Sequence, residues 1–248
     1  MTDLKNADAL QGDAPLTRPS RSVIRPLLVQ MVAYIVLVSV ACLPGSANVG
    51  GAVYSLLLFA VGVLIMLSEF FTPLRDGLAG RITACVLGFC SMICAATPFL
   101  GELVFGVRPD VVEGSVYLSV SAWLAGCATL LVALLVVSFI RQMARNPRPN
   151  MIVQMSHMVM DGVCCIAAAG WCFLPMLMHV GGVHPAARAA ALAAVAVVAL
   201  ALGAVSCLWT RDAHPLATAR SPWVGMGMMP VMLTGAAVGI AVLVLLLV

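Results

Sequence analysis

Residues 187–209 read ARAAALAAVAVVALALGAVSCLW, and Arg188 is the one charged side chain in the stretch. A helix needs about 20 apolar residues to cross a hydrocarbon core of about 30 Å, and this run is long enough. Working outward, six further stretches qualify: 24–43, 49–71, 82–105, 116–140, 151–178 and 228–248. Across 248 residues the chain is 62% hydrophobic and only 9% charged, whereas soluble domains carry roughly a quarter charged residues. Unpaired backbone groups are costly in lipid, so each stretch is expected to be helical throughout. None alternates apolar and polar residues with period two, which excludes a barrel. The reading is an all-α integral membrane protein with seven transmembrane helices.

The charges set an orientation. Residues 1–23 carry Lys5, Arg18 and Arg21 beside Asp3, Asp8 and Asp13, with Gly12, Pro15 and Pro19 and little to bury; they are expected to form a disordered tail. Because the first apolar run begins late and leads into further spans, a cleaved signal peptide is not expected. When alternate segments are counted, Lys5, Arg18, Arg21, Arg25, Arg75, Arg81, Arg141, Arg145, Arg148, Arg211 and Arg220 share one side, leaving Arg108 and Arg188 on the other. The positive-inside rule then puts the N-terminus in the cytoplasm and the C-terminus outside a plasma (inner) membrane. The net charge of +3 is a topology signal, and the arginines can touch lipid headgroups. No basic patch with interleaved aromatics points to nucleic acid. The nine cysteines lie within or at the ends of spans and form no Cys-x-x-Cys, so neither a disulfide framework nor a thiol-redox enzyme is indicated.

Two stretches repeat the same landmarks in order. The first runs Arg25-Pro26, Val29-Gln30-Met31, Cys42-Leu43-Pro44, Val49-Gly50-Gly51, Ser68, Thr72 and Arg75-Asp76. The second runs Arg148-Pro149, Val153-Gln154-Met155, Cys172-Phe173-Leu174-Pro175, Val180-Gly181-Gly182, Ser206, Thr210 and Arg211-Asp212. A duplicated chain is the expectation: a tail at 1–23, a three-helix repeat at 24–105, an outer loop and linker helix at 106–147, and a second three-helix repeat at 148–248. An even number of crossings separates the copies, so this 3+1+3 layout is a parallel tandem repeat about an axis along the membrane normal. The layout is similar in helix count to the sugar transporters called SWEETs, whose proline-glutamine style signatures in the first helix of each triplet are absent here.

Charged groups inside lipid are costly and mark function. Asp161 in the fifth span aligns at helical spacing with Gln154, His157, Cys164, Cys165 and Cys172. His157, one turn before Asp161, could share a proton with it and gate a movement; the bland alternative is hydrogen-bonded glue between helices. The first copy holds Ala33 and Leu37 at the equivalent places. Glu69 is expected as a solvated or ion-paired residue at the cytoplasmic interface. Glu102, four residues past a Pro98 expected to interrupt the third helix, marks either an outer mouth or a helix end. Met155, Met158, Met228 and Met232 with Cys164 would suit Cu(I), although methionine is also an adaptable filler.

Other chemistries lack residues. Transmembrane haem needs facing axial ligands, and only His157 lies inside a span; retinal needs a lysine in the bundle, and Lys5 is the only lysine. Catalytic triads, zinc-binding motifs and phosphate loops are absent. The expectation is a small-solute or ion transporter, with the proton as candidate coupling ion, no cofactor and no enzymatic activity. The alternatives are an accessory or assembly subunit of a larger membrane complex, suggested by the small residues from Ala186 to Ala204, and a copper-handling protein. Expected partners are the lipid bilayer, a small solute or ion, and a membrane-protein partner or homo-oligomer.

Overall fold

The computed structural model of the chain describes residues 24–46, 51–72, 74, 77–97, 116–144, 151–179, 184–212 and 221–247. Its helices are α1 (Ile24–Ala41), α2 (Ala52–Phe71), α3 (Leu78–Ala96), α4 (Val116–Ala144), α5 (Met151–Ala168), α6 (Leu174–His179), α7 (Pro185–Asp212) and α8 (Pro222–Leu247), with a 3-10 stretch, Ala169–Phe173, joining α5 to α6. Since α5, the 3-10 stretch and α6 form one crossing, seven segments are long and apolar enough to span a membrane. No strand occurs among the described residues.

Glycine and proline set the boundaries. Gly77 precedes α3 at φ 74°, ψ 170°, backbone that glycine adopts without a Cβ penalty. Pro185 and Pro222 open α7 and α8 at the first helical position, where no N–H is needed. His184 caps α7 with both its carbonyl, to the Ala187 N–H at 3.0 Å, and its ring Nδ1, to the Ala186 N–H at 3.3 Å. The third helix departs from the expected 82–105: it ends at Ala96, and Thr97 is extended at φ −136°, ψ 135°. A residue before proline is pushed out of helical backbone, which accounts for the extended Thr97; the remainder of the expected stretch, 98–105, lies outside the described residues. The seventh crossing, α8, begins at Pro222, six residues before the expected 228, taking in what reads as a loop.

Two crossings make the centre. The fifth packs on α2, α3, α4 and α8, while α8 packs on α1, α2, α5 and α7. They meet at Gly170 and Gly235: a Cβ on Gly170 would run into the Gly235 carbonyl oxygen, and one on Gly235 into that of Ala167. Such close approach of backbones is how small residues bring helices together in lipid. Around this point pack Trp123 and Phe173, with ring centroids 5.2 Å apart, and Tyr34 and Trp171, at 5.8 Å. The indole of Trp171 donates to the Val231 carbonyl at 2.8 Å. At the rim, α7 packs almost entirely on α8.

Each central crossing contains a proline, and each prevents an orphaned carbonyl differently. Pro175 cannot donate to Trp171, four residues back; the chain tightens to 3-10 and Leu174 N–H takes the Trp171 oxygen instead. Pro230 likewise deprives Met226, and here the Ser206 hydroxyl, arriving from α7, donates to the Met226 oxygen at 3.4 Å. Lipid supplies no hydrogen bonds, so substitutes of this kind are required.

Candidate functional site

α3 brings a ridge of small residues against α5. Gly80, Ala84, Gly88 and Ser91 are all buried, and spaced by four, four and three residues they share one face. A Cβ on Gly88 would stand 3.1 Å from the Cβ of Cys165 and 3.3 Å from its carbonyl oxygen. Further along, the Ser91 hydroxyl donates to the Ile166 carbonyl at 2.8 Å and accepts from Trp123 Nε1 at 3.0 Å. α3 and α5 therefore run side by side in the same direction. Counting back seven residues from Gly88 and Cys165 brings Arg81 level with the turn from His157 to Asp161.

On this scaffold two carboxylates are buried. Glu69, in the last turn of α2, is 5% exposed, and Asp161, on α5, is 3% exposed. The Cys165 thiol donates to Glu69 Oε1 at 2.9 Å. Both Glu69 and Asp161 lie within electrostatic range of the same three thiols, those of Cys85 on α3 and of Cys164 and Cys165 on α5. Asp161 follows the start of α5 by ten residues, about 15 Å. At Gly162 the chain leaves room for Leu134 of α4, whose methyl groups would stand 2.6 Å from an added Cβ, so an aliphatic side chain closes the α4 side of this turn. Nearby, Arg141 Nη1 approaches the Met158 sulfur at 3.2 Å. Glu69, Arg81, Gln154, His157 and Asp161 are all engaged in interactions.

The sequence-predicted residues divide clearly. Asp161 is buried on the polar stripe, and Gln154 and His157 are half-buried on the same helix. Glu69, expected as a solvated or ion-paired residue at the interface, is buried and accepts from the Cys165 thiol. Glu102 lies outside the described residues. Of the proposed copper ligands, Met158 packs on Arg141, Met228 lines a groove beside α1 and α2, Met155 is half-buried, and Met232 and Cys164 are buried. Among the described residues no group of three or more His, Cys, Asp or Glu side chains could hold a metal ion, and all nine cysteines are free. Sequence reasoning missed Cys165 as the link between helices. The signal that could have found it is the Gly80, Ala84, Gly88 spacing, which marks the face of α3 that α5 approaches.

Chemically, the arrangement is a pair of acids amid thiols, walled by aliphatic side chains, with guanidinium groups toward the start of α5. A carboxylate buried this far from water holds its charge only with a compensating partner and is otherwise protonated. No protein-family model, curated protein or solved structure matches the chain.

Proposed function

We propose that this multi-pass membrane protein is an inner-membrane transporter of a small solute or ion, driven or accompanied by a proton held at Asp161 and Glu69. The observation that carries the reading is the burial of both carboxylates, on different helices, around shared thiols. Intramembrane acids are expensive, and a pair of them in one bundle is a functional site by default. In this reading Arg81 is the counter-charge, and His157 relays the proton between the pair and the side where α5 begins. The basic residues of the loops put that side in the cytoplasm. The tandem 3+1+3 organisation is supported by a reciprocal contact: the first helix of each triplet packs on the last helix of the other, α1 on α8 and α5 on α3. Two units joined this way could rock about the Gly170–Gly235 crossing. The test is proton flux into proteoliposomes under an imposed pH gradient. Asp161→Asn and Glu69→Gln should each lower it by at least about tenfold, as loss of a proton-transfer group does, and unchanged flux in both variants would remove the pair from the mechanism.

A second reading, an accessory subunit of a larger membrane complex, is favoured by α7. Only 11% of its apolar window is buried, and its outer surface is dense in alanine, which suits close helix association. Isolation in mild detergent distinguishes the two: a stoichiometric partner lost on Ala194→Trp supports the subunit reading, and a solitary chain that conducts protons argues against it.

A further inference from the structure

Between α1, α2 and the start of α8 lies an open groove of about 630 Å³, within the span of about 300 to 1,000 Å³ typical of small-molecule sites. Its walls are aliphatic, with Val32 and Val36 from α1, Ala60 and Leu64 from α2, and Met228 from α8. Arg25 and Trp223 break that pattern. They are the second residues of α1 and α8, and the two helices begin in contact: a Cβ on Gly227 would lie 2.5 Å from the Pro26 carbonyl oxygen. They then run in the same direction, since Tyr34 meets Thr234 at 2.8 Å further along. The groove consequently has one polar end, bearing a guanidinium and an indole N–H, and an apolar remainder. Along α1 its lining extends from Arg25 to Leu37, about 18 Å at 1.5 Å per residue, which is close to the half-thickness of a hydrocarbon core, about 15 Å.

We propose that this groove is a binding site for one anionic phospholipid, with an acyl chain laid along α1 and α2 and its phosphate against Arg25. The shape argues for a hydrocarbon chain, because the trough is apolar and about one leaflet deep. The charge argues for the headgroup: a guanidinium forms charge-assisted, forked hydrogen bonds with phosphate, and a tryptophan beside it suits the headgroup level. The site is separate from the buried acids and does not depend on the transport reading.

The full chain is reconstituted in nanodiscs of equal parts phosphatidylglycerol and phosphatidylcholine, transferred to mild detergent, and weighed by native mass spectrometry. One retained phosphatidylglycerol per chain, in preference to phosphatidylcholine, is expected. Arg25→Gln, at an exposed position that does not threaten folding, should lower that retention about fivefold, the factor for one interfacial arginine, while Arg25→Lys keeps most of it. Ala60→Phe, which fills the trough, should lower retention of both lipids. Equal retention of the two lipids by the unaltered chain, or unchanged phosphatidylglycerol in Arg25→Gln, would overturn the proposal. So would a doubled mass that Ala60→Phe returns to a single chain, because the groove would then belong to a second copy.

Discussion

The fifth and sixth crossings occupy opposite extremes of the bundle. In the fifth, Ile152–His179, 83% of the apolar window is buried; in the sixth, Pro185–Trp209, only 11% is. Yet the fifth is the least apolar of the seven spans and the sixth is among the most apolar. In water this order would be reversed, because apolar area drives burial. In lipid an alanine, valine and leucine surface loses nothing by facing the solvent, and backbone packing and polar contacts decide which helix goes inside. The crossing that carries Gln154, His157, Asp161 and a run of cysteines is therefore the one the others surround.

That contrast can be broken most forcefully at the centre. Gly235→Leu would drive a side chain into the Ala167 carbonyl and the Trp171 ring, and a loss of at least about 3 kcal/mol is expected for such overpacking. The measurement is unfolding in detergent, with Ala194→Leu on the exposed face of α7 as a control that changes stability by less than about 0.5 kcal/mol. Next come matched truncations. Leu177→Ala, at a fully buried position, should cost about 2 to 4 kcal/mol through the cavity it leaves. The same change at Leu200, which is 75% exposed, should leave the unfolding midpoint where it was; equal losses at the two sites would refute the inside-out ordering.

Smaller effects sharpen the comparison by asking what polar contacts contribute to each crossing. Ser91→Ala removes the acceptor of the Trp123 indole and the donor to Ile166 together. It should destabilise by about 1 to 3 kcal/mol, the range for leaving a buried donor unsatisfied, and indole fluorescence should report the changed environment of Trp123. Ser206→Ala, which takes the substitute donor from the Met226 carbonyl, should cost about 0.6 kcal/mol and at most about 1.7. Because this hydroxyl is the link from α7 to the carbonyl freed by Pro230, the loss should also speed hydrogen exchange near Met226 more than at the start of α5.

Much of this architecture was legible in residue order. The count of seven spans follows from apolar length alone, because a bilayer imposes one length on every crossing. Boundaries were less legible where apolar composition runs on in the sequence: nothing in the hydropathy marks Ala96 as an end, and it is the extended backbone of Thr97, the residue before a proline, that closes α3. The start of α8 was hidden for the opposite reason, since its glycines and Ser221-Pro222 resemble a loop, and it is packing on α1 that carries the helix back to Pro222. At the candidate site, the stripe of Gln154, His157 and Asp161 could be read from a period of 3.6. Its second acid could not, because the burial of Glu69 depends on which face of α5 meets the end of α2.

Residue order by itself determined a helical, lipid-solvated chain of seven crossings with a polar stripe on the fifth, because hydropathy and helical period are local properties that no neighbour can alter. Tertiary structure alone decided that this fifth crossing lies at the centre, that Gly170 and Gly235 let it touch α8 backbone to backbone, and that Cys165 carries Asp161's helix to Glu69. Those outcomes rest on contacts between residues as much as 96 positions apart, and in a medium as apolar as the helices themselves, hydrophobicity cannot choose among partners; only shape and hydrogen bonding can.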